Sequence, residues 1–136
     1  MNRVSKDEQK ALIALANEAR LKAYAPYSKY LVGAALRTRS GRIFTGCNVE
    51  NAAYPTGLCA ERVAVFKAVS EGEREFDVIA VTTVNGGTPC GSCRQVLAEF
   101  GLETIVLIAD ASGRLIEKTT AAKLLPGAFT PRDLPR

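Results

Sequence analysis

Histidine is missing altogether from the 136 residues, and cysteine occurs only at 47, 59, 90 and 93. Without imidazole the chain lacks the side chain that ordinarily titrates near neutrality, so acid–base work and metal binding fall to carboxylates and thiols. Long apolar runs are also missing. Residues 11–16, the longest such run in the first helix candidate, are far too few to span a bilayer, and Lys6, Asp7, Glu8 and Lys10 precede them in place of a signal-peptide pattern. These features predict a cytoplasmic protein with no membrane partner. The net charge of +4 comes from scattered lysines and arginines, with no basic block and no basic stripe interleaved with aromatics. It reads as a solvated surface, which argues against a nucleic-acid partner. Repeats, low-complexity segments and linkers are absent, so one domain over residues 1–136 is expected, and 47% hydrophobic with 24% charged residues suits a globular core. With no export signal, the even cysteine count does not argue for disulfides. In a reducing compartment, clustered thiols are more often metal ligands or redox groups.

Ser5-Lys6-Asp7-Glu8 has the form of a capping box, and Leu12, Ile13, Ala16, Ala19 and Ala23 continue it at helical spacing until Pro26 ends the segment. Residues 30–38 and 42–48 read as a β-hairpin closed by Arg39-Ser40-Gly41. Residues 76–84 and 103–109 read as buried strands, and residues 114–118 as a further strand after the turn Asp110-Ala111-Ser112-Gly113. Helices are expected over 59–69, from Pro89-Cys90 to a left-handed cap at Gly101, and over 121–125. This order predicts a three-layer α/β/α sandwich around a mixed five-stranded sheet.

Cys59 and the pair Cys90-Gly91-Ser92-Cys93 fall at the predicted starts of helices, where free N–H groups and the positive end of the dipole favour thiolate. Three thiolates converging there suit zinc, which takes sulfur ligands and in catalytic sites uses three protein ligands plus water. Glu61, two residues beyond Cys59, is placed to act as general acid and base on that water. Zinc with three thiolates carries a formal charge of about −1. Arg62 and Arg94, each beside a ligand cysteine, are the candidates to offset it by hydrogen bonding sulfur.

Cys59-Ala60-Glu61-Arg62 together with Pro89-Cys90-Gly91-Ser92-Cys93-Arg94-Gln95 resembles the zinc-dependent cytidine deaminases in their small, homotetrameric, three-cysteine form. The resemblance extends through Tyr24-Ala25-Pro26-Tyr27-Ser28-Lys29-Tyr30, Val32-Gly33-Ala34-Ala35-Leu36, Gly46-Cys47-Asn48-Val49-Glu50-Asn51-Ala52 and Leu124-Leu125-Pro126-Gly127-Ala128-Phe129. It implies one zinc per subunit and hydrolytic deamination of free cytidine or deoxycytidine in pyrimidine salvage, with Glu61 shuttling protons to ring N3 and to the leaving amine. It also implies that Asn48 and Glu50 bind the sugar hydroxyls, that Tyr30 packs on the pyrimidine where the family usually has Phe, and that the Ala60 carbonyl reads the exocyclic amine. Tyr54 and Phe129 would reach a neighbouring subunit's pocket, and Gln95 would support the metal shell or an adjacent loop. Strand alternation agrees in part, setting Asn48 and Glu50 on one face and Cys47 and Val49 on the other.

Rival readings are a closed structural zinc site with Cys47 as fourth ligand in a small binding module, and a thioredoxin-like Cys-x-x-Cys. The strand faces disfavour the first, and the second leaves Cys59 with Glu61 unexplained. A polynucleotide-editing deaminase would need a basic groove that this chain does not display.

Overall fold

The computed structural model describes residues 4–135. Helix α1 (Lys6–Arg20) begins at the expected capping box, with the Glu8 amide donating to Ser5 Oγ (3.1 Å) and the Ser5 amide donating to Glu8 Oε1 (2.8 Å). It ends at Arg20 instead of running on toward Pro26. The chain is captured early by other partners, because the Tyr24 amide donates to the Asn48 carbonyl and the Glu50 amide donates to the Tyr24 carbonyl.

Strands β1 (Gly33–Thr38) and β2 (Ile43–Cys47) form the hairpin, followed by α2 (Ala60–Ser70), β3 (Phe76–Thr83), α3 (Gly91–Phe100), β4 (Ile105–Asp110), β5 (Leu115–Thr120) and α4 (Ala121–Leu124). The sheet order is β2-β1-β3-β4-β5, with β3 and β4 parallel and the other neighbours antiparallel. Gly101 does stop α3, but at φ 157 and ψ 116 it lies outside the left-handed helical region expected there.

Two buried faces follow from the alternation of side chains along the central strands. Val78 and Ala80 of β3, with Ala35, Leu107 and Ala109, pack on Leu12, Ile13 and Ala16 of α1. Ile79 and Val81 of β3, with Ala34, Leu36, Val106 and Ile108, pack on Ala64, Val65, Leu97 and Ala121. The result is a helix layer on each side of a mixed sheet. Gly46 lets α2 lie unusually close to the sheet, because a Cβ at that position would sit 2.5 Å from the Ala60 carbonyl oxygen and 2.7 Å from the Ala64 amide nitrogen. The first turn of α2 and the turn entering α3 thereby meet near the C-terminal end of β3, the side on which open α/β sheets place ligands.

Candidate metal centre and nucleoside cavity

Cys59 caps α2 and Cys90 caps α3, both in extended backbone, and neither side chain is spent on a capping hydrogen bond. Cys93 follows on the first turn of α3, so all three sulfurs face one point. Cys59 Sγ lies 3.7 Å from Cys90 Sγ, Cys90 Sγ lies 3.4 Å from Cys93 Sγ, and the three atoms fall within 4.8 Å of one another. Tetrahedral zinc with Zn–S near 2.3 Å needs sulfurs about 3.8 Å apart, so the donor set and its spacing fit that ion. No other group of three or more Cys, Asp or Glu is gathered in this way among the described residues.

Charge around the cluster is uneven. The Cys59 thiol is held down to about 5, chiefly by a hydrogen bond from the Cys93 thiol and also by the Arg62 guanidinium, against the opposing effect of burial. Arg62 Nη2 donates to Cys59 Sγ at 3.4 Å, as its position beside the cysteine suggests. Cys93 is pushed well above the ordinary thiol range by its hydrogen bond to Cys59 and by burial. Arg94 behaves differently from the sulfur donor expected. Its Nε donates to the Pro89 carbonyl (2.8 Å), Nη1 to the Leu124 carbonyl (2.8 Å) and Nη2 to Thr88 Oγ1 (3.0 Å). These acceptors lie where the side chain leaves α3, so Arg94 fastens the cysteine-bearing turn to the C-terminal segment.

Glu61 sits one residue inside α2 and is only 4% exposed. Burial pushes its carboxyl up to about 7, with the Cys59 charge adding to the rise and its own backbone amide opposing it. Such a group carries a proton under conditions where an ordinary glutamate has lost it.

A cavity of about 630 Å³ opens from these residues and is lined by Cys59, Glu61, Arg62 and Cys90 at one end and by Asn48, Glu50 and Tyr54 at the other. The Glu50 carboxylate is fixed before any ligand arrives: Oε1 accepts from the Tyr27 and Ser28 amides at 3.0 Å each, and Oε2 accepts from the Ser28 hydroxyl. These donors, led by the Ser28 hydroxyl, lower its pKa. Asn48 is buried, with Oδ1 accepting from the Val32 amide (2.9 Å) and Nδ2 donating to the Tyr30 carbonyl (2.8 Å). One amide hydrogen and one lone pair of Asn48 remain for a ligand.

The strand-face argument holds for Cys47 but not for Val49. Regular pairing of β2 ends at Cys47, and Val49, held in isolated bridges to Tyr24 and Leu58, lines the same cavity as Asn48 and Glu50. Cys47 instead lines a separate cavity with Lys22 and Lys67 and takes no part in the sulfur cluster.

Tyr30 reaches the cavity wall, and its hydroxyl donates to Asn85 Oδ1 at 2.6 Å. Tyr54 lines the rim, is 76% exposed, and meets Tyr27 edge-on at 6.2 Å between ring centroids. Phe129 is 56% exposed and lies outside the cavity, although Gln95 Nε2 donates to its carbonyl at 2.8 Å. Gln95 thus supports the C-terminal segment. Ala60 is fully buried and does not line the cavity, because its carbonyl faces Gly46 across the α2–β2 contact. The residues that sequence reasoning left without a role are Tyr27 and Ser28, which hold Glu50, and Thr83 and Asn85. The turn sequence Pro26-Tyr27-Ser28 was a usable signal for the first pair, whereas nothing local marks the second.

The description of the family model that matches residues 6–109 is cytidine and deoxycytidylate deaminase zinc-binding region. The cytidine deaminase of Sporosarcina psychrophila is 53% identical over 126 residues, covering 90% of this chain and 92% of that one. The cytidine deaminase of Halalkalibacterium halodurans is 46% identical over 130 residues, covering 93% and 98%. Among solved structures, the cytidine deaminase from Burkholderia pseudomallei superposes with a TM-score of 0.83 at 50% identity, covering 88% of this chain and 97% of that chain. Sequence, fold and the three-sulfur geometry thus converge, and the chain belongs to the cytidine and deoxycytidylate deaminase zinc-binding family.

Proposed function

We propose that the chain catalyses hydrolytic deamination of free cytidine and deoxycytidine to the uracil nucleosides and ammonia, as a single domain over residues 1–136. The observation that carries this reading is the meeting of three cysteine sulfurs and one buried carboxyl beside a cavity large enough for a nucleoside. Relatives that bear the name cytidine deaminase support it.

Zinc held by Cys59, Cys90 and Cys93 would polarise a bound water and bring its proton loss down toward neutral pH. Glu61 takes a proton from the attacking water and delivers it to ring N3, which leaves C4 electron-poor. Once the water oxygen is bonded to C4, Glu61 takes the remaining proton from that hydroxyl and gives it to the amine as the C4–N bond breaks, so ammonia leaves and the C4 oxygen becomes the carbonyl of the product. The raised carboxyl of Glu61 suits both transfers, since it gives up and regains a proton near neutral pH. Arg62 spreads charge away from Cys59. Asn48 and the Glu50 carboxylate take the sugar hydroxyls, and the Tyr30 ring lies along the base.

The exposed side chains of Tyr54 and Phe129 support a homotetramer in which each enters a neighbour's cavity. A wide cavity that one chain leaves open supports the same arrangement. The assembly is assigned to the cytoplasm, with no nucleic-acid partner. No described helix is long and apolar enough to cross a membrane. Incubating purified protein with cytidine while following ammonia release and the ultraviolet change tests the reading; product formation that chelation abolishes and zinc restores is expected. Absence of product from metal-loaded protein overturns it.

A further inference from the structure

Tyr30 is bonded to both walls of the cavity. On the sugar side, its amide donates to Ser28 Oγ (3.0 Å), the hydroxyl that reaches Glu50, and its carbonyl accepts from Asn48 Nδ2 (2.8 Å). Across the cavity, its hydroxyl donates to Asn85 Oδ1 (2.6 Å) in the loop that joins β3 to the cysteine-bearing start of α3. That loop is organised around the same oxygen. Thr83 Oγ1 donates to Asn85 Oδ1 (3.3 Å) and accepts from the Gly87 amide (2.7 Å), and Thr83 and Gly87 both line the cavity.

Two backbone features show that the contact is built in. Lys29, directly before Tyr30, has φ 60, a left-handed conformation that residues other than glycine seldom adopt. A Cβ on Gly87 would lie 2.6 Å from the Tyr30 hydroxyl oxygen, so a side chain there would have to push the phenol tip off its place against the loop. Asn85 itself does not line the cavity. Its carboxamide oxygen receives both the Tyr30 and the Thr83 hydroxyl.

We propose that Asn85 is a positioning residue of the deaminase reaction: through the Tyr30 hydroxyl it ties the sugar-binding wall to the loop entering the metal-ligand helix and so sets the width of the nucleoside slot. The proposal rests on the functional reading above. A slot held at fixed width pays less ordering entropy on binding, so loss of the tie weakens nucleoside binding while the chemistry at Glu61 and the three sulfurs continues.

The test compares Tyr30→Phe, Asn85→Leu, Asn85→Asp and the Tyr30→Phe/Asn85→Leu double variant. One lost hydrogen bond of ordinary strength corresponds to about fivefold in affinity. KM for cytidine should rise by about that factor in Tyr30→Phe and in Asn85→Leu, with kcat and zinc content kept within about twofold. The double variant should be no worse than either single one, because both remove the same tie. Asn85→Asp keeps an oxygen for both hydroxyls and should restore KM. Unchanged KM in the single variants, multiplying effects in the double variant, or an Asp variant as poor as Leu overturns the proposal. Hydrogen exchange of the Gly87 amide, read without substrate, decides the tie separately from the reaction. It should quicken in Tyr30→Phe and Asn85→Leu, and equal exchange in all variants removes the tie even if cytidine is turned over. Intact protein that protects Gly87 in this way but releases no ammonia from cytidine removes the functional reading instead.

Discussion

The contact between Gly46 and α2 permits a prediction about catalysis from a residue that touches no substrate. In Gly46→Ala the new methyl carbon would lie 2.5 Å from the Ala60 carbonyl oxygen and 2.7 Å from the Ala64 amide nitrogen. Ordinary contact begins near 3.4 Å, so the first turn of α2 must retreat by about 0.9 Å from the first of these. Both atoms are helix backbone, which has no rotamer through which to yield. Overpacking of this kind costs about 1–3 kcal/mol, so the melting temperature should fall by several degrees for a domain of this size. The catalytic cost should be comparable to the stability cost. Cys59 caps the displaced turn and Glu61 and Arg62 lie on it, and a shift of about 1 Å in a reacting group is worth roughly 10²-fold in rate. We expect folded, dimmed enzyme: kcat/KM for cytidine down by about 10- to 100-fold, a weaker zinc site on competition with a chelator, and far-ultraviolet circular dichroism like that of the wild type. Steady-state ammonia release, metal analysis and thermal melts check the three parts. A Gly46→Ala protein with wild-type turnover and melting temperature would refute the geometric argument.

Glu61→Gln should keep fold and zinc but lose about 10²- to 10⁴-fold in kcat, the range for a missing proton shuttle; near-normal turnover removes Glu61 from that role. Ser28→Ala withdraws the hydroxyl that does most to lower the Glu50 pKa, so the carboxyl titration, followed by carbon NMR, should move up toward the ordinary glutamate range. The sign follows from the ionised form being the one stabilised. In the wild type, Glu50 stays charged as pH falls through that range, whereas in Ser28→Ala it takes up its proton earlier and KM for cytidine rises at higher pH than in the wild type. Chelation should abolish turnover and lower the melting temperature, with zinc reversing both, because binding to the folded state alone stabilises it. Phe129→Ala should raise KM for the nucleoside, and in mixtures with an inactive Glu61→Gln chain the kinetics should show sites built from two subunits; unchanged KM counts against that contribution.

Much of the layering was legible in the sequence because each clue was local. The capping box at Ser5, the hairpin turn at Gly41 and the alternation in β3 are set by neighbours a few residues apart, and the observed elements follow them. The end of α1 was not legible in this way. Tyr24 lies inside the segment expected to run on to Pro26, yet it bridges to Val49, a partner that periodicity in one segment does not reveal. The same division runs through the site. Cys59, Cys90 and Cys93 were marked by their spacing and helix starts, and the structure brings their sulfurs together. Arg94 was misread because adjacency to a ligand says nothing about where a long side chain turns, and here two carbonyls and a hydroxyl claim it. The Ala60 carbonyl was read from the resemblance alone, and here it lies close against Gly46. Thr83 and Asn85 went unnoticed because their importance comes from Tyr30, which is 55 residues from Asn85 along the chain.

The sulfur cluster also has a mechanical meaning. Cys59 and Cys90 are 31 residues apart in sequence, and a bound ion staples the ends of that segment, which holds all of α2 and β3, into a closed ring. Because the ion binds the folded state alone, the ring it closes exists only in the fold and strengthens it by an amount set by the ratio of free metal to its dissociation constant. The atom that enables chemistry therefore doubles as a fastener for the central part of the molecule, and starvation for it should leave a protein that proteases open first between those two cysteines.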